Sequence, residues 1–228
     1  MGGASLLNPT PVRASAPGWR SAVQRALLSR WSKPLLWLAC LLPLAWLLTG
    51  ALRETLGANP AEALIRATGD WTLRGLCLTL AITPLRVMLG LPALLRFRRL
   101  LGVFSYVYAL LHLLCYAGFD MQLDLGDIGR DVLKRPFIFV GLAAVLLMTP
   151  LALTSFNAAI RALGGRHWQR LHRLVYGVIL LGLLHFFWMR AGKHNFAEVA
   201  VYAALAAVLL GWRVQRALRQ RWLSARQP

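Results

Sequence analysis

The sequence has few of the residues from which soluble enzymes build their reactive sites. Its three cysteines, Cys40, Cys77 and Cys115, are odd in number and widely spaced, which excludes a disulfide framework and a paired-cysteine metal site. It has no glycine-rich phosphate loop and no Ser/His/Asp set held by loops. The segments between its apolar runs are too short for a separate catalytic domain. We therefore expect no soluble catalytic domain. We interpret the cysteines as small apolar residues that pack between helices.

Long apolar runs dominate what is present. Hydrophobic residues fill 58% of the 228 positions and charged residues only 15%, a composition typical of membrane proteins. Each run approaches the roughly 20 residues that a helix needs to cross a hydrocarbon core of about 30 Å. The runs cover residues 34–52, 72–91, 101–119, 136–154, 171–189 and 196–212. They predict an all-α integral membrane six-helix bundle over residues 34–212, between a basic cytoplasmic tail (1–33) and a basic cytoplasmic C-terminal tail (213–228).

Acidic residues are scarce, and their distribution predicts an orientation. The sequence has 8 aspartates and glutamates against 26 lysines and arginines, a net charge of +18. If the N-terminus is cytoplasmic and the six runs alternate, 18 basic residues fall on the cytoplasmic side, while the other 8 and all 8 acids fall outside. This is the positive-inside pattern, so both termini are expected in the cytoplasm. The basic excess then reflects topology and anionic lipid headgroups, and no nucleic acid partner is predicted. No acidic residue is expected in mid-membrane.

Two histidines lie at matched depth in the third and fifth runs. His112 follows Arg99 by 13 residues and His185 follows Arg173 by 12. Both are therefore roughly 18 to 20 Å from the inner boundary on helices that run outward. An ionisable side chain at this depth is costly and indicates function. Two imidazoles at one level can ligate haem iron from opposite faces. The alternative is that each histidine only bridges helices through a hydrogen bond.

The other candidate residues lie elsewhere along the chain. His172 is about 20 Å below His185 at the inner boundary, where it is either an alternative ligand or a group that holds a haem propionate or a quinone. Arg86, near the inner end of the second run, either extends to the lipid headgroups or meets a haem propionate. His167 and His194 fall in predicted loops, and we interpret them as surface residues.

Four segments carry a resemblance to a known family. They are LTLAITPLR (78–86), RRLLGVFSYVYALLHLLCY (98–116), KRPFIFVGLAAVLLMTPLALTS (134–155) and WQRLHRLVYGVILLGLLHFFW (168–188). In order and content they closely resemble the MsrQ (YedZ) family, the haem-binding membrane subunit of a periplasmic methionine sulfoxide reductase system, over residues 34–212. That family belongs to the ferric reductase-like transmembrane group.

The resemblance implies a function and a location. It implies haem b, with FMN as a second candidate cofactor, in the bacterial inner membrane. Electrons would come from the quinone pool or a cytosolic flavin reductase and pass to a molybdenum-containing periplasmic methionine sulfoxide reductase. The family's haem histidines carry over by motif to His112, His172 and His185. Relatives with two haems have a second histidine on the third helix, where this chain has none.

We therefore interpret the chain as a transmembrane electron-transfer subunit rather than a self-sufficient enzyme. Two alternatives stay open from the sequence. One is a ferric or cupric reductase that acts directly at the outer face. The other is a small transporter that uses histidines as proton relays, which should show broken helices and a polar path across the membrane. We expect the periplasmic partner to dock on the outer segment from Asp120 to Arg135, which holds four of the eight acids.

Overall fold

The structure, a computed structural model, describes residues 18–191 and 196–226. Six of its helical segments are long and apolar enough to cross a membrane, and no strand occurs among the residues described. The predicted all-α six-helix bundle is confirmed. In chain order the α-helices are α1 (Gly18–Leu28), α2 (Ser32–Leu52), α3 (Pro60–Leu89), α4 (Leu95–Cys115), α5 (Leu125–Lys134), α6 (Pro136–Leu153), α7 (Asn157–Leu171), α8 (Val175–Ala191) and α9 (Ala197–Ser224).

Several helices extend beyond the apolar runs that predicted them. Helix α3 begins at Pro60, well before the run at residue 72, because Pro60 takes the first helical position and the Asn59 side chain accepts from the Glu62 N–H at 3.0 Å. It ends at Leu89 and is capped by Gly90, whose left-handed φ of 68° suits glycine. Helix α9 continues to Ser224 with a polar last part. Hydropathy alone misses such polar extensions, because they leave the hydrocarbon without ending the helix.

Short helical elements connect the spans. Helix α1 forms within the predicted N-terminal tail, where Arg96 donates to the Leu27 carbonyl at 2.8 Å. Three 3-10 or π-helical segments adjoin the longer helices: Pro92–Leu94, Tyr116–Asp120 and His172–Leu174. The predicted outer segment 120–135 contains α5, with Asp124 as its N-cap. Residues 1–17 of the N-terminal tail, residues 227–228 of the C-terminal tail, and His194 lie outside the described residues.

Two tightly packed helix pairs form the centre of the bundle. Helix α3 packs along α4, and α6 packs along α8. Helix α9 lies against α3 and α8, whereas α2 lies on the outside of α3 and α4. Fully buried side chains such as Leu80, Val178 and Ile179 fill the middle. Many leucines on the outer faces, such as Leu42 and Leu146, are exposed, as expected of surfaces that meet lipid tails.

A tyrosine hydroxyl holds α2 beside its internal proline. Pro43 interrupts the hydrogen bonds of the helix. The Tyr108 hydroxyl of α4 donates to the Cys40 carbonyl at 2.8 Å and accepts from the Leu44 N–H at 3.1 Å. It thereby bridges two backbone groups that would bond to each other in an unbroken helix. Because lipid offers no such partner, this bridge ties α2 to α4.

A basic residue of α9 performs a similar role for α3. Pro84 lies inside α3, so the carbonyl of Leu80, one turn earlier, has no intrahelical donor. The Arg213 guanidinium donates to this carbonyl. Its Nη1 also donates to the Leu209 carbonyl at 2.6 Å. Arg213, counted among the charges of the predicted C-terminal tail, therefore satisfies the proline-freed carbonyl and fixes α9 against α3.

Candidate functional site

A cavity of about 480 Å³ lies between the pair α3/α4 and the pair α6/α8. Its middle is apolar, with Leu73, Ala109, Met148 and Val178 among the lining residues. Its charged lining residues lie around the histidines and toward the end that carries α5. A cavity of this size with a few convergent polar groups is a typical cofactor site.

His112 projects from α4 into this cavity and is fixed by α3. Its Nδ1 lies 2.8 Å from the Ile65 carbonyl oxygen. The ring lies on Gly69, one helical turn along α3, and a Cβ there would come within 3.1 Å of Nδ1. The absence of a side chain at Gly69 therefore lets the imidazole lie against the helix backbone.

His185 is held by α6 in the same way. Its Nδ1 lies 2.6 Å from the Phe137 carbonyl oxygen. The ring lies on Gly141, again one turn along the neighbouring helix, where a Cβ would come within 2.7 Å of Nδ1. Each helix pair thus presents one histidine on the same support, a carbonyl and a glycine four residues apart. The two halves of the site therefore repeat this arrangement.

The two imidazoles face a common space. Their ring centroids are 6.0 Å apart and their planes nearly perpendicular. A backbone carbonyl accepts from protonated Nδ1, so the lone pair of each neutral ring is on Nε2, the tautomer typical of a metal-ligating histidine. Metal–nitrogen bonds of about 2 Å on either side of an ion put two axial ring centroids about 6 Å apart. The donor set and its spacing therefore fit axial ligation of a haem iron.

Three arginines line the end of the cavity near α5, and sequence analysis did not single them out. Arg66 pairs with Glu62, Arg135 with Asp131 and Arg190 with Glu198. Hydropathy assigned these residues to outer loops, and their positions in the chain gave no sign that they meet. The spacing of Arg190, five residues after His185, would have been a usable but weak signal that a basic residue lies near the histidine site.

Asp131 links α5 to the rest of the site. It accepts from Arg135 Nε at 2.5 Å and from the Tyr116 hydroxyl at 2.5 Å. The bond from Arg135 lowers the pKa of the Asp131 carboxyl, and the same bond raises the pKa of Arg135. Tyr116 lies one turn beyond His112, in the π-helical segment that follows α4, and Arg135 directly precedes α6. The latch of Tyr116, Asp131 and Arg135 therefore joins α5 to both ligand-bearing halves.

The expectation that no acidic residue lies in mid-membrane stays a prediction, but Asp70 lies nearer the histidines than its place before the second apolar run suggested. Asp70 follows Gly69, against which His112 packs, and it lines the cavity. The apolar run seemed to begin at Thr72, whereas α3 begins at Pro60, so Asp70 falls three turns into the helix. An acidic side chain is tolerated there because it faces the cavity and nearby arginines rather than lipid.

A second cavity of about 290 Å³ lies toward the opposite end and contains His172. The His172 ring packs against the Trp168 ring at a centroid distance of 4.0 Å, with the two planes tilted, and its Nε2 is 3.2 Å from the Thr154 hydroxyl. Arg98 and Arg99 also line this cavity. His172 therefore lies apart from the pair His112 and His185, as its depth predicted.

The two cavities share a thin wall. Three buried side chains, Leu76, Met148 and Val178, line both of them. One layer of apolar side chains thus separates the space around His172 from the space between His112 and His185.

Two further sequence candidates fall outside both cavities. Arg86, near the end of α3, is not among the residues that line either cavity, so its contact with a propionate stays a prediction without structural support. His167 is exposed, in agreement with its interpretation as a surface residue. Within residues 18–191 and 196–226, no group of three or more His, Cys, Asp or Glu side chains forms a metal site.

Comparisons with known proteins agree on one family. A family model described as "Ferric reductase like transmembrane component" matches residues 68–183. The chain is 60% identical over 209 residues to the protein-methionine-sulfoxide reductase heme-binding subunit MsrQ of Polaromonas naphthalenivorans, covering 92% of this chain and 94% of that relative. It is 52% identical to the MsrQ subunit of Ralstonia nicotianae, with coverages of 81% and 86%. The MsrQ subunit of Caulobacter vibrioides is 44% identical, with coverages of 79% and 85%. No solved structure matches the chain.

Proposed function

The chain belongs to the MsrQ family of haem-binding membrane subunits with a ferric reductase-like transmembrane domain, and on that premise we propose that it conducts electrons across the bacterial inner membrane to a periplasmic methionine sulfoxide reductase. The observation that carries the proposal is the pair His112 and His185, whose ring centroids are 6.0 Å apart. Haem b held there supplies a one-electron carrier. The chain is an electron-transfer subunit and depends on a partner for substrate chemistry.

The chain's own residues position the cofactor. His112 and His185 offer Nε2 from opposite helix pairs, while the Ile65 and Phe137 carbonyls fix the tautomer and the ring orientation. The apolar walls exclude water from the space between them.

The second cavity, which contains His172, supports entry of electrons from the cytoplasmic side. Its aromatic and cationic lining, with Trp168, His172, Arg98 and Arg99, suits a planar redox molecule with polar edges. The donor is the quinone pool or a cytosolic flavin reductase, and FMN is a second candidate cofactor for this space. His172 holds that molecule rather than the haem between His112 and His185. The shared wall of Leu76, Met148 and Val178 leaves a short distance for electrons to cross.

The periplasmic partner, a molybdenum-containing reductase, docks at the end that carries α5. The 18 to 8 split of basic residues supports an orientation with this end outside and both termini in the cytoplasm. The acids of the docking segment have different roles. Asp124 caps α5, Asp127 pairs with Arg130, and the inward-facing Asp131 belongs to the latch. Asp120 also lines the main cavity, so the exposed Asp127, which lies outside that lining, is the better position for a charge-reversal test of docking, with haem content measured in parallel.

The test combines a visible spectrum with three histidine variants. The purified protein should show a Soret band and sharp reduced α and β bands, typical of low-spin haem. His112→Ala and His185→Ala should each lose most haem or change its spin state. His167→Ala, an exposed histidine outside both cavities, is the matched control and should retain the full spectrum.

Two results would contradict the proposal. A colourless protein from a haem-replete host would favour the transporter with histidine proton relays. Direct reduction of ferric or cupric chelates at the outer face, with no electron delivery to the periplasmic reductase, would favour the metal reductase.

A further inference from the structure

The charged side chains of the main cavity lie at the level of the histidines or beyond it, toward α5, whereas the wall toward the second cavity is apolar. They are Glu62, Arg66, Asp70, Asp120, Arg135 and Arg190. Haem has the same asymmetry, because its two propionates lie on one edge of an otherwise apolar ring. A haem held between His112 and His185 would therefore fit best with its carboxylate edge toward α5.

The three arginines at this end differ in how far their guanidinium N–H groups are already hydrogen-bonded and in how exposed they are. Arg135 uses both Nε and Nη2 on Asp131, so its guanidinium is engaged in a bidentate pair. Arg66 is bonded to Glu62 one turn away on α3, and its side chain is 34% exposed. Arg190 is the most buried of the three, at 12% exposure.

Arg190 has a donor without an acceptor. Its Nη2 donates to Glu198 Oε2 at 2.5 Å, and its guanidinium lies over the Phe186 ring at 5.4 Å. Its Nε is buried and has no hydrogen-bond partner among the described residues. A buried N–H of a charged group that lacks a partner is costly, and such groups in native structures commonly meet a bound ion or ligand.

We propose that Arg190 is the anchor for a haem propionate, with its Nε–H directed at the carboxylate. This rests on the proposed position of haem between His112 and His185. Arg190 is on the same helix as His185, five residues further toward the α5 end. This separation corresponds to a rise of about 7.5 Å. One helix thus supplies both an axial ligand and a cation for the carboxylate edge. Arg135 has a different role, because its donors hold Asp131 in the latch.

The anchor has a consequence for the redox potential. A fixed cation beside the haem stabilises the reduced form, which carries one more negative charge than the oxidised form. Loss of Arg190 should therefore lower the midpoint potential of the haem as well as its affinity. A charge-assisted hydrogen bond in a low-dielectric site typically accounts for about a 10- to 100-fold difference in affinity.

The test compares two ligands that differ only at the carboxylates. The full-length protein, produced in haem-deficient cells, is titrated with haem and with haem dimethyl ester, which lacks the propionate charges. The variants are Arg190→Gln, Arg190→Lys and Arg66→Gln. Arg130→Gln is the control, because Arg130 is exposed and outside the cavity lining. The midpoint potential is measured on each haem-loaded protein.

We expect the wild type and Arg130→Gln to bind haem about 10- to 100-fold more tightly than the ester. This preference should collapse in Arg190→Gln and be partly kept in Arg190→Lys, and the midpoint potential should fall in Arg190→Gln. The Lys variant also covers the case in which the Gln variant fails to fold. The proposal is overturned if Arg190→Gln keeps the full preference, if the wild type has none, or if the preference collapses in Arg66→Gln instead. Haem that persists in His112→Ala and His185→Ala would refute the proposed site itself, separately from the anchor.

Discussion

Replacing Gly141 by alanine should displace His185 and so damage haem ligation without touching either ligand. An alanine Cβ at this position would lie 2.7 Å from His185 Nδ1 and 2.9 Å from Cε1, while ordinary contact begins near 3.4 Å. The ring must therefore move by about 0.7 Å, or α6 and α8 must separate. The 2.6 Å bond from Nδ1 to the Phe137 carbonyl opposes any such movement.

The size of the effect follows from overpacking a close helix contact. Such overpacking typically costs about 1 to 3 kcal/mol, which corresponds to a loss of haem affinity of about 5- to 150-fold. A His185 ring moved off the iron axis should also convert low-spin haem to high-spin haem. The effect should be smaller for Gly69→Ala, because a Cβ there would lie 3.1 Å from His112 Nδ1.

The matched control is Gly177→Ala, on α8 itself. A Cβ at Gly177 would meet nothing within 4 Å. Because alanine favours helix by up to about 1 kcal/mol over glycine, this variant should be neutral or stabilised. The assays are the spin-state bands of the purified proteins and haem retention during titration with a haem-binding competitor. If Gly141→Ala kept the low-spin spectrum and the haem affinity of Gly177→Ala, the glycine support would have no role in holding the ligand.

Four further outcomes are expected. His172→Ala should keep the low-spin spectrum of the outer pair but slow reduction by a cytoplasmic-side donor in stopped-flow measurements; complete loss of haem would contradict the assignment of His172 to the second cavity. Tyr108→Phe should destabilise the protein by about 1 to 3 kcal/mol in thermal unfolding, because the Cys40 carbonyl and the Leu44 N–H lose their bridge in lipid; an unchanged melting temperature would show that α2 closes its own hydrogen bond. The Arg135 bond holds the pKa of Asp131 below its ordinary value of 3.8, so the latch contributes stability above that pH and loses it as the pH falls through the lowered pKa. Asp131→Asn should therefore make residues 121–135 sensitive to protease at neutral pH. If the variant resisted protease as well as the wild type, the latch would have no stabilising role. A reporter fused after Pro228 should be active only in the cytoplasm, and periplasmic activity would reverse the assigned orientation.

The sequence by itself determined the properties that depend on short stretches of chain. Six apolar runs of membrane-crossing length predicted the six helices, because span length and hydropathy are local quantities. Counting the rise per residue placed His112 and His185 at one depth, and the structure brings their rings together. The boundary of α3 was missed, and Asp70 with it, because a helix whose polar face meets a cavity continues past the end of its hydropathy signal.

Only the tertiary structure decided how the site is built. The glycines that support the histidine rings, Gly69 and Gly141, belong to neighbouring helices, and nothing local in the chain pairs them with His112 and His185. The arginine cluster at the α5 end likewise unites residues from α3, α8 and the start of α6. Hydropathy reports how deep a residue lies but not which way its side chain faces. The direction of each helix face is fixed by packing against the other helices. That packing separates Arg190, whose buried Nε has no partner in the part of the chain that the structure describes, from Arg86, which lines neither cavity.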